Sequence, residues 1–228
     1  PDHAGPALDT FMNRLIEIFE SMNQAFQIPP QNNWGDLWRF VTRFDAIFTL
    51  NQDLLLEYQY LHHVPLMSNG RWTSPQLMGV QRCGRVTGGI DSWPKDTWSL
   101  SGSNLALGKN TQPLYKLHGS SNWIDSNEQP VFVAGGAKSR AIAKEPVLQW
   151  CFNQFTDALT ATGARLMVIG CGFRDEHINE QIVKAATQGD LKFFVIDPYG
   201  ARIVQEVNSS KGMAKEPLDH AFEAGLAG

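Results

Sequence analysis

The segment Arg165-Leu166-Met167-Val168-Ile169-Gly170-Cys171-Gly172-Phe173-Arg174-Asp175 is an apolar run that stops abruptly at glycines and then turns polar. A short, very apolar run bounded by turn residues reads as a strand, and the compact run Ala46 to Leu50 reads likewise as a buried strand of a parallel sheet. Helical spacing follows, from about His177 to Gln188. Leu191 to Ile196 is a second apolar run, closed by Asp197-Pro198. Upstream, Glu145 to Ala161 repeats Val147, Leu148, Trp150, Cys151, Phe155 and Leu159 at helical spacing. Ala46 to Leu50 and Leu114 to Leu117 are two further short strands. Strand, helix, strand predicts an α/β fold: a Rossmann-like, mostly parallel sheet flanked by helices, with right-handed crossovers.

The remaining segments extend this reading to a single domain over residues 1–228. Residues 7–27 predict an amphipathic helix, with Leu8, Phe11, Met12, Leu15, Ile16, Phe19, Met22 and Phe26 recurring, stopped by Pro29-Pro30. A short helix is expected over Trp34 to Arg43, and another over Leu54 to Leu61. Residues 62–113 carry Asn69-Gly70, Cys83-Gly84, Gly88-Gly89 and Ser101-Gly102-Ser103 with weak periodicity. They read as a loop-rich insertion or an inserted subdomain, and residues 128–143 read as a second loop-rich insertion. A last helix or coil is expected after Pro198.

Composition narrows the function classes. The 228 residues include 19 Lys+Arg and 23 Asp+Glu, a formal charge of −4, with 43% hydrophobic residues. That is a globular composition, and a chain of this length buries about 70% of its unfolded surface. The mild acidity argues against direct nucleic-acid binding. No run reaches the ~18 apolar residues of a spanning helix, so no membrane partner is expected. Pro1 to Gly5 lacks the basic start and apolar run of a signal peptide. Cys83, Cys151 and Cys171 form no C-x-x-C pair. They read as reduced thiols in a cytoplasmic protein, and no metal is expected. His62-His63 has no carboxylate or cysteine spaced to complete a metal site.

Open α/β sheets bind ligands at the carboxyl ends of their strands. Four such ends here are polar. Asn51 and Asp53 follow the first strand, where they either reach into a crevice or cap the next helix. His118 and Gly119 follow the second: an imidazole suited to proton transfer, or a structural histidine, beside a residue that permits a sharp turn. Gly170-Cys171-Gly172 is part of a phosphate-cradling turn or simply a tight strand-to-helix turn. Arg174 and Asp175 pair with each other or cap the helix. Asp197 accepts from a ribose hydroxyl or is a turn residue before proline.

Taken together, Phe48-Thr49-Leu50-Asn51-Gln52-Asp53, then Lys116-Leu117-His118-Gly119-Ser120, then Val168 to Asn179 resemble sirtuin-like NAD-consuming domains. More narrowly they resemble the bacterial branch that hydrolyses NAD in defence against phage. The resemblance covers roughly residues 44–200. It implies that Asn51 contacts the nicotinamide ribose and helps position the attacking water, that Asp53 holds the carboxamide, and that His118 is the general base. It also implies that Gly170, Gly172 and adjacent amides approach the phosphates or adenosine, and that Asp197 sits near the adenosine ribose. Thr49, Gly119 and Phe173 belong to the same implied nucleotide-binding set. NAD is then a substrate, and the expected partners are a second copy of the chain, a sensor subunit or an ATPase subunit. Other functions implied by the resemblance are a non-catalytic sensor of NAD or ADP-ribose and an NAD-dependent protein deacylase.

Three departures bear on these expectations. No strand followed by a glycine-rich loop is found in residues 1–45, so the family's first strand and loop are expected to be missing. Gly172 stands where the family often has Ser, and Leu50 where protein deacylases have Gln. The two C-x-x-C zinc pairs of deacylases are absent, which favours NAD hydrolysis over deacylation.

Overall fold

In the computed structural model, residues 4–25, 39–61, 71–86, 95–100, 106–135 and 138–198 are described. They show the expected α/β character, with parallel strands and flanking helices. Their contacts divide the chain into two compact units, Pro1–Phe152 and Asn153–Gly228. Each is described by itself.

The first unit opens with α1, Ala4–Ala25. Its Phe19 ring meets the edge of Phe132 at 6.0 Å, while Phe11, Ile18 and Met22 are exposed. Two sheets follow. In the first, β5 (Thr111–Lys116) lies between β1 (Ile47–Thr49) and β2 (Ser74–Leu77), and both neighbours run parallel to it. Central β5 is the predicted Leu114 strand begun three residues earlier, and Leu114 to Leu117 are buried. The Phe48 ring stacks on Tyr115 at 4.8 Å, and Trp150 lies 5.7 Å from Tyr115. Burial pushes the Tyr115 hydroxyl up to about 12.

The second sheet has the order β3-β4-β6-β7, with β3 at Val80–Val86, β4 at Lys95–Leu100, β6 at Gly119–Ile124 and β7 at Pro130–Phe132. β3–β4 and β6–β7 are antiparallel, and β4–β6 is parallel. Helix α2 (Lys138–Lys144) and helix α3 (Pro146–Thr160) come next, α3 where the spacing predicts it.

Two stretches read as loop-rich therefore contain regular structure. Residues 62–113 hold β2, β3, β4 and the start of β5, and residues 128–143 hold β7 and most of α2. Their polar, glycine-punctuated sequences hide the strands because partners, not periodicity, hold them. Gln76 is one example. Its Oε1 accepts from the Gly108 amide at 2.8 Å and the Thr111 hydroxyl at 2.9 Å, while its Nε2 donates to the Ala106 carbonyl at 3.0 Å.

The helix expected over Leu54–Leu61 is also altered. It winds as a π-helical turn at Glu57–Leu61. Buried polar partners account for this: Glu57 joins Lys116, and Tyr60 donates its hydroxyl hydrogen to Gln112. Gln112 Nε2 in turn donates to the Val41 and Phe44 carbonyls at 2.8 and 2.7 Å. In the segment expected as a helix over Trp34–Arg43, residues 39–41 are helical, and residues 34–38 lie outside the described set. So do residues 26–30 and the segment after Pro198.

In the second unit, β8 (Arg165–Ile169) and β9 (Lys192–Ile196) pair in parallel, from Arg165↔Lys192 to Ile169↔Ile196. Helix α4 (Glu176–Gln188) makes the crossover. Val168, Ile178, Ile182, Ala185, Ala186, Leu191 and Phe193 form its core. No helix among the described residues is long and apolar enough to cross a membrane.

Candidate functional site

The carboxyl ends of β1 and β5 are neighbours. The register pairs Thr49 with Lys116, and the Leu117 amide donates to the Thr49 carbonyl at 3.0 Å. Asn51 lies two residues beyond Thr49, and His118 two beyond Lys116. Adjacent strand ends thus carry the amide and the imidazole singled out from the sequence. Asn51 is exposed, and its backbone amide donates to the Thr49 hydroxyl at 3.1 Å. His118 is buried.

Asp53 does what its capping alternative requires. Its Oδ1 accepts the Leu55 amide at 3.0 Å, starting the short helical turn. The chain from Asn51 to Asp53 is braced from several directions. Ser121 donates its amide to the Gln52 carbonyl at 3.0 Å, and Gln52 Nε2 donates to the Val133 carbonyl. Val133 donates its own amide to the His118 carbonyl at 2.9 Å. Lys116 Nζ donates to the Asp53 carbonyl at 2.6 Å and to Glu57 Oε1 at 2.5 Å.

Gly119 has a structural reason to be glycine. Its φ is +73°, and a Cβ there would lie 2.3 Å from the Val131 carbonyl oxygen. The chain needs this close approach to turn from β5 straight into β6, the strand that sequence reading missed. The Gly119 turn was its one visible signal.

The second unit holds the other predicted residues at the β8–β9 carboxyl edge. Gly170 adopts φ +62°, and its amide donates to the Ile196 carbonyl at 3.0 Å. That amide continues the strand ladder and is not available to a phosphate; what Gly170 offers a ligand is its bare Cα and its carbonyl. Asp197 follows Ile196 directly and is half-buried. Phe173 is buried in a left-handed conformation, φ +50°, and Asn179 Nδ2 donates to its carbonyl at 2.7 Å. Asp175 takes the N-cap position of α4 through its backbone, its carbonyl accepting from Ile178 and Asn179 at 3.0 Å each. Burial raises the Cys171 thiol.

Gly172 is different from Gly119. A Cβ at this position meets nothing closer than the Arg174 side chain at 3.8 Å, an ordinary contact. Gly172→Ser is therefore expected to leave the fold intact. The thermal midpoint should move by no more than about 2 °C in a scanning-calorimetry trace, the shift of a neutral surface substitution.

Two comparisons with known proteins bear on this geometry. No curated protein sequence matches the chain. The family model of the SIR2-like domain matches residues 45–213, which takes in β1, β5, β8 and β9 and every site residue predicted from the sequence. The chain belongs to the SIR2-like domain family, whose members bind and process NAD.

Proposed function

We propose that this chain is an NAD glycohydrolase that cleaves NAD to nicotinamide and ADP-ribose, acting as the NAD-depleting effector of a bacterial defence system against phage. The observation that supports it most is the pairing of the β1 and β5 ends, just beyond which Asn51 and His118 follow. In this reading the bond between C1′ of the ribose and the nicotinamide nitrogen breaks. Its electron pair goes to the nitrogen, so nicotinamide leaves neutral and positive charge develops on the sugar. A water oriented by Asn51 attacks C1′ and gives a proton to His118. Placement of water and base against the sugar supplies much of the rate. Asp53, one carboxylate oxygen already held by the Leu55 amide, keeps Oδ2 for the carboxamide. Thr49 and Gly119 frame the same strand ends. Gly172, Phe173, Asp197 and the bare Gly170 Cα take the adenosine side.

The lack of C-x-x-C pairs supports hydrolysis over protein deacylation. Gating by a second copy of the chain, or by a sensor or ATPase subunit, belongs to the same proposal.

The test is incubation of the full-length protein with NAD, alone and with its defence partner, with nicotinamide and ADP-ribose measured by chromatography. Wild type is expected to release both without any acylated peptide. His118→Ala and Asn51→Ala are each expected to lose about 100-fold or more, the scale of a general acid–base contribution. An unchanged rate in His118→Ala would remove the histidine from the mechanism. NAD binding with no turnover in the presence of the partner would make the chain a nucleotide sensor.

A further inference from the structure

Lys116 is a fully buried cation in the central strand of a parallel sheet, a place where apolar residues are the rule. Its only carboxylate partner among the described residues is Glu57, also buried. The pair is not built for stability. Two charges taken out of water cost more than an apolar pair of the same volume unless every lone pair is satisfied. Here Glu57 Oε2 is buried with no hydrogen-bond partner. The helix supplying Glu57 is, moreover, wound as a π-turn, a distortion that recurs at functional sites.

What Lys116 does hold is the loop after β1. Its other contact is the Asp53 carbonyl at 2.6 Å, so one ammonium ties β5 to the chain between Asn51 and the π-turn. Lys116 is also the last residue of β5, two residues before His118 in the turn that follows. We propose that Lys116 is a positioning residue. Its ammonium fixes the Asn51–Asp53 loop against the β5 end, holding Asn51 and Asp53 in register with His118. Glu57 Oε1, accepting from Nζ at 2.5 Å, serves to keep that ammonium aimed. This inference rests on the NAD-cleaving reading for its consequence in catalysis, but the loop-fixing itself is independent of that reading.

Two variants separate positioning from bulk. Lys116→Met/Glu57→Leu removes both charges at similar volume, which preserves or improves stability, but it deletes the bond to the Asp53 carbonyl. Glu57→Gln keeps an oxygen acceptor for Lys116 and keeps that bond. The expected result is that the double variant folds and loses 10–100-fold in kcat with KM within about 3-fold, the scale of a small misplacement at a reacting centre. Glu57→Gln should stay within about 3-fold of wild type in both. Hydrogen–deuterium exchange supplies the readout that needs no turnover. Amides of residues 51–55 should exchange at least 10-fold faster in the double variant, with those of 112–116 unchanged.

A folded double variant with wild-type kcat and unchanged exchange would overturn the proposal. So would loss of protection across β1 and β5 alike, or a double variant that fails to fold while Glu57→Gln folds. Either would mean that the pair holds the sheet and not the loop. If wild type does not cleave NAD, the proposed activity fails, and the exchange pattern alone decides whether Lys116 fixes the loop.

Discussion

Gly119→Ala is expected to cost the first unit most of its stability. Two effects add. At φ +73° an L-residue is strained by about 1–2 kcal/mol. The new methyl would also sit 2.3 Å from the Val131 carbonyl oxygen and 2.9 Å from the Phe132 Cα, both backbone atoms of β7. Neither can rotate away as a side-chain tip would. The strands must separate, which breaks the Gly119↔Phe132 pairing and the bond from Val133 to the His118 carbonyl. Together this places the substitution among the exceptional changes of about 4 kcal/mol or more, a fall of about 10 °C in thermal midpoint or outright failure to fold.

Cys151 reports the loss. It is buried, and burial pushes its thiol up to about 12, so native protein at pH 8 should not label there while exposed Cys83 does. Rapid labelling of Cys151 in Gly119→Ala is the expected signature. Gly135→Ala is the control: φ is +85° but a Cβ meets nothing within 4 Å. It should show the backbone strain alone. Equal effects at the two positions would mean that the β6–β7 approach is not as close as described.

Lys116→Met alone is the second large effect. It leaves the Glu57 carboxylate buried, with Oε1 stripped of its ammonium and Oε2 already unpartnered. Breaking a buried pair from one side costs about 3–5 kcal/mol, because the remaining charge has neither water nor counter-ion. Denaturant unfolding should show that loss as a lower midpoint with little change in slope. Adding Glu57→Leu should recover most of it. The sign of this coupling carries the argument: two substitutions, each harmful alone, are expected to be nearly neutral together. A single variant as stable as wild type would mean that water reaches Glu57, contrary to its burial.

Both predictions concern features that local sequence patterns carry unevenly. The apolar runs at Ile47, Leu114, Leu166 and Phe193 were legible because short apolar runs bounded by turn residues read as strands, although burial on both faces holds for β5 and not for β8 and β9, where Ile169, Phe194 and Ile196 are exposed. Helices α3 and α4 were legible from their spacing, and the polar residues at the strand ends from the rule that such sheets bind at their carboxyl edge. The Asp53 cap was visible as one of two alternatives, and the structure shows the cap bond. Strands β3, β4, β6 and β7 were not legible. They are short or polar, they contain or adjoin glycine, and they exist because distant segments pair with them. The use of the Gly170 amide in the β8–β9 ladder could not be seen either, since its partner at Ile196 lies across a helix.

By itself, the order of apolar runs, glycines and polar strand ends determined the α/β class, the parallel pairing and the family. These depend on local burial and turn chemistry, which neighbouring residues encode. Only the tertiary structure decided that Lys116 is a buried cation tied to Asp53 and Glu57, and that Gly119 is pressed against β7. Within a motif such as Lys116-Leu117-His118-Gly119, a lysine reads as a surface charge and a glycine as a flexible turn. Their actual roles come from partners that the fold delivers, 59 residues away for the Glu57 carboxylate and 63 for the Asp53 carbonyl.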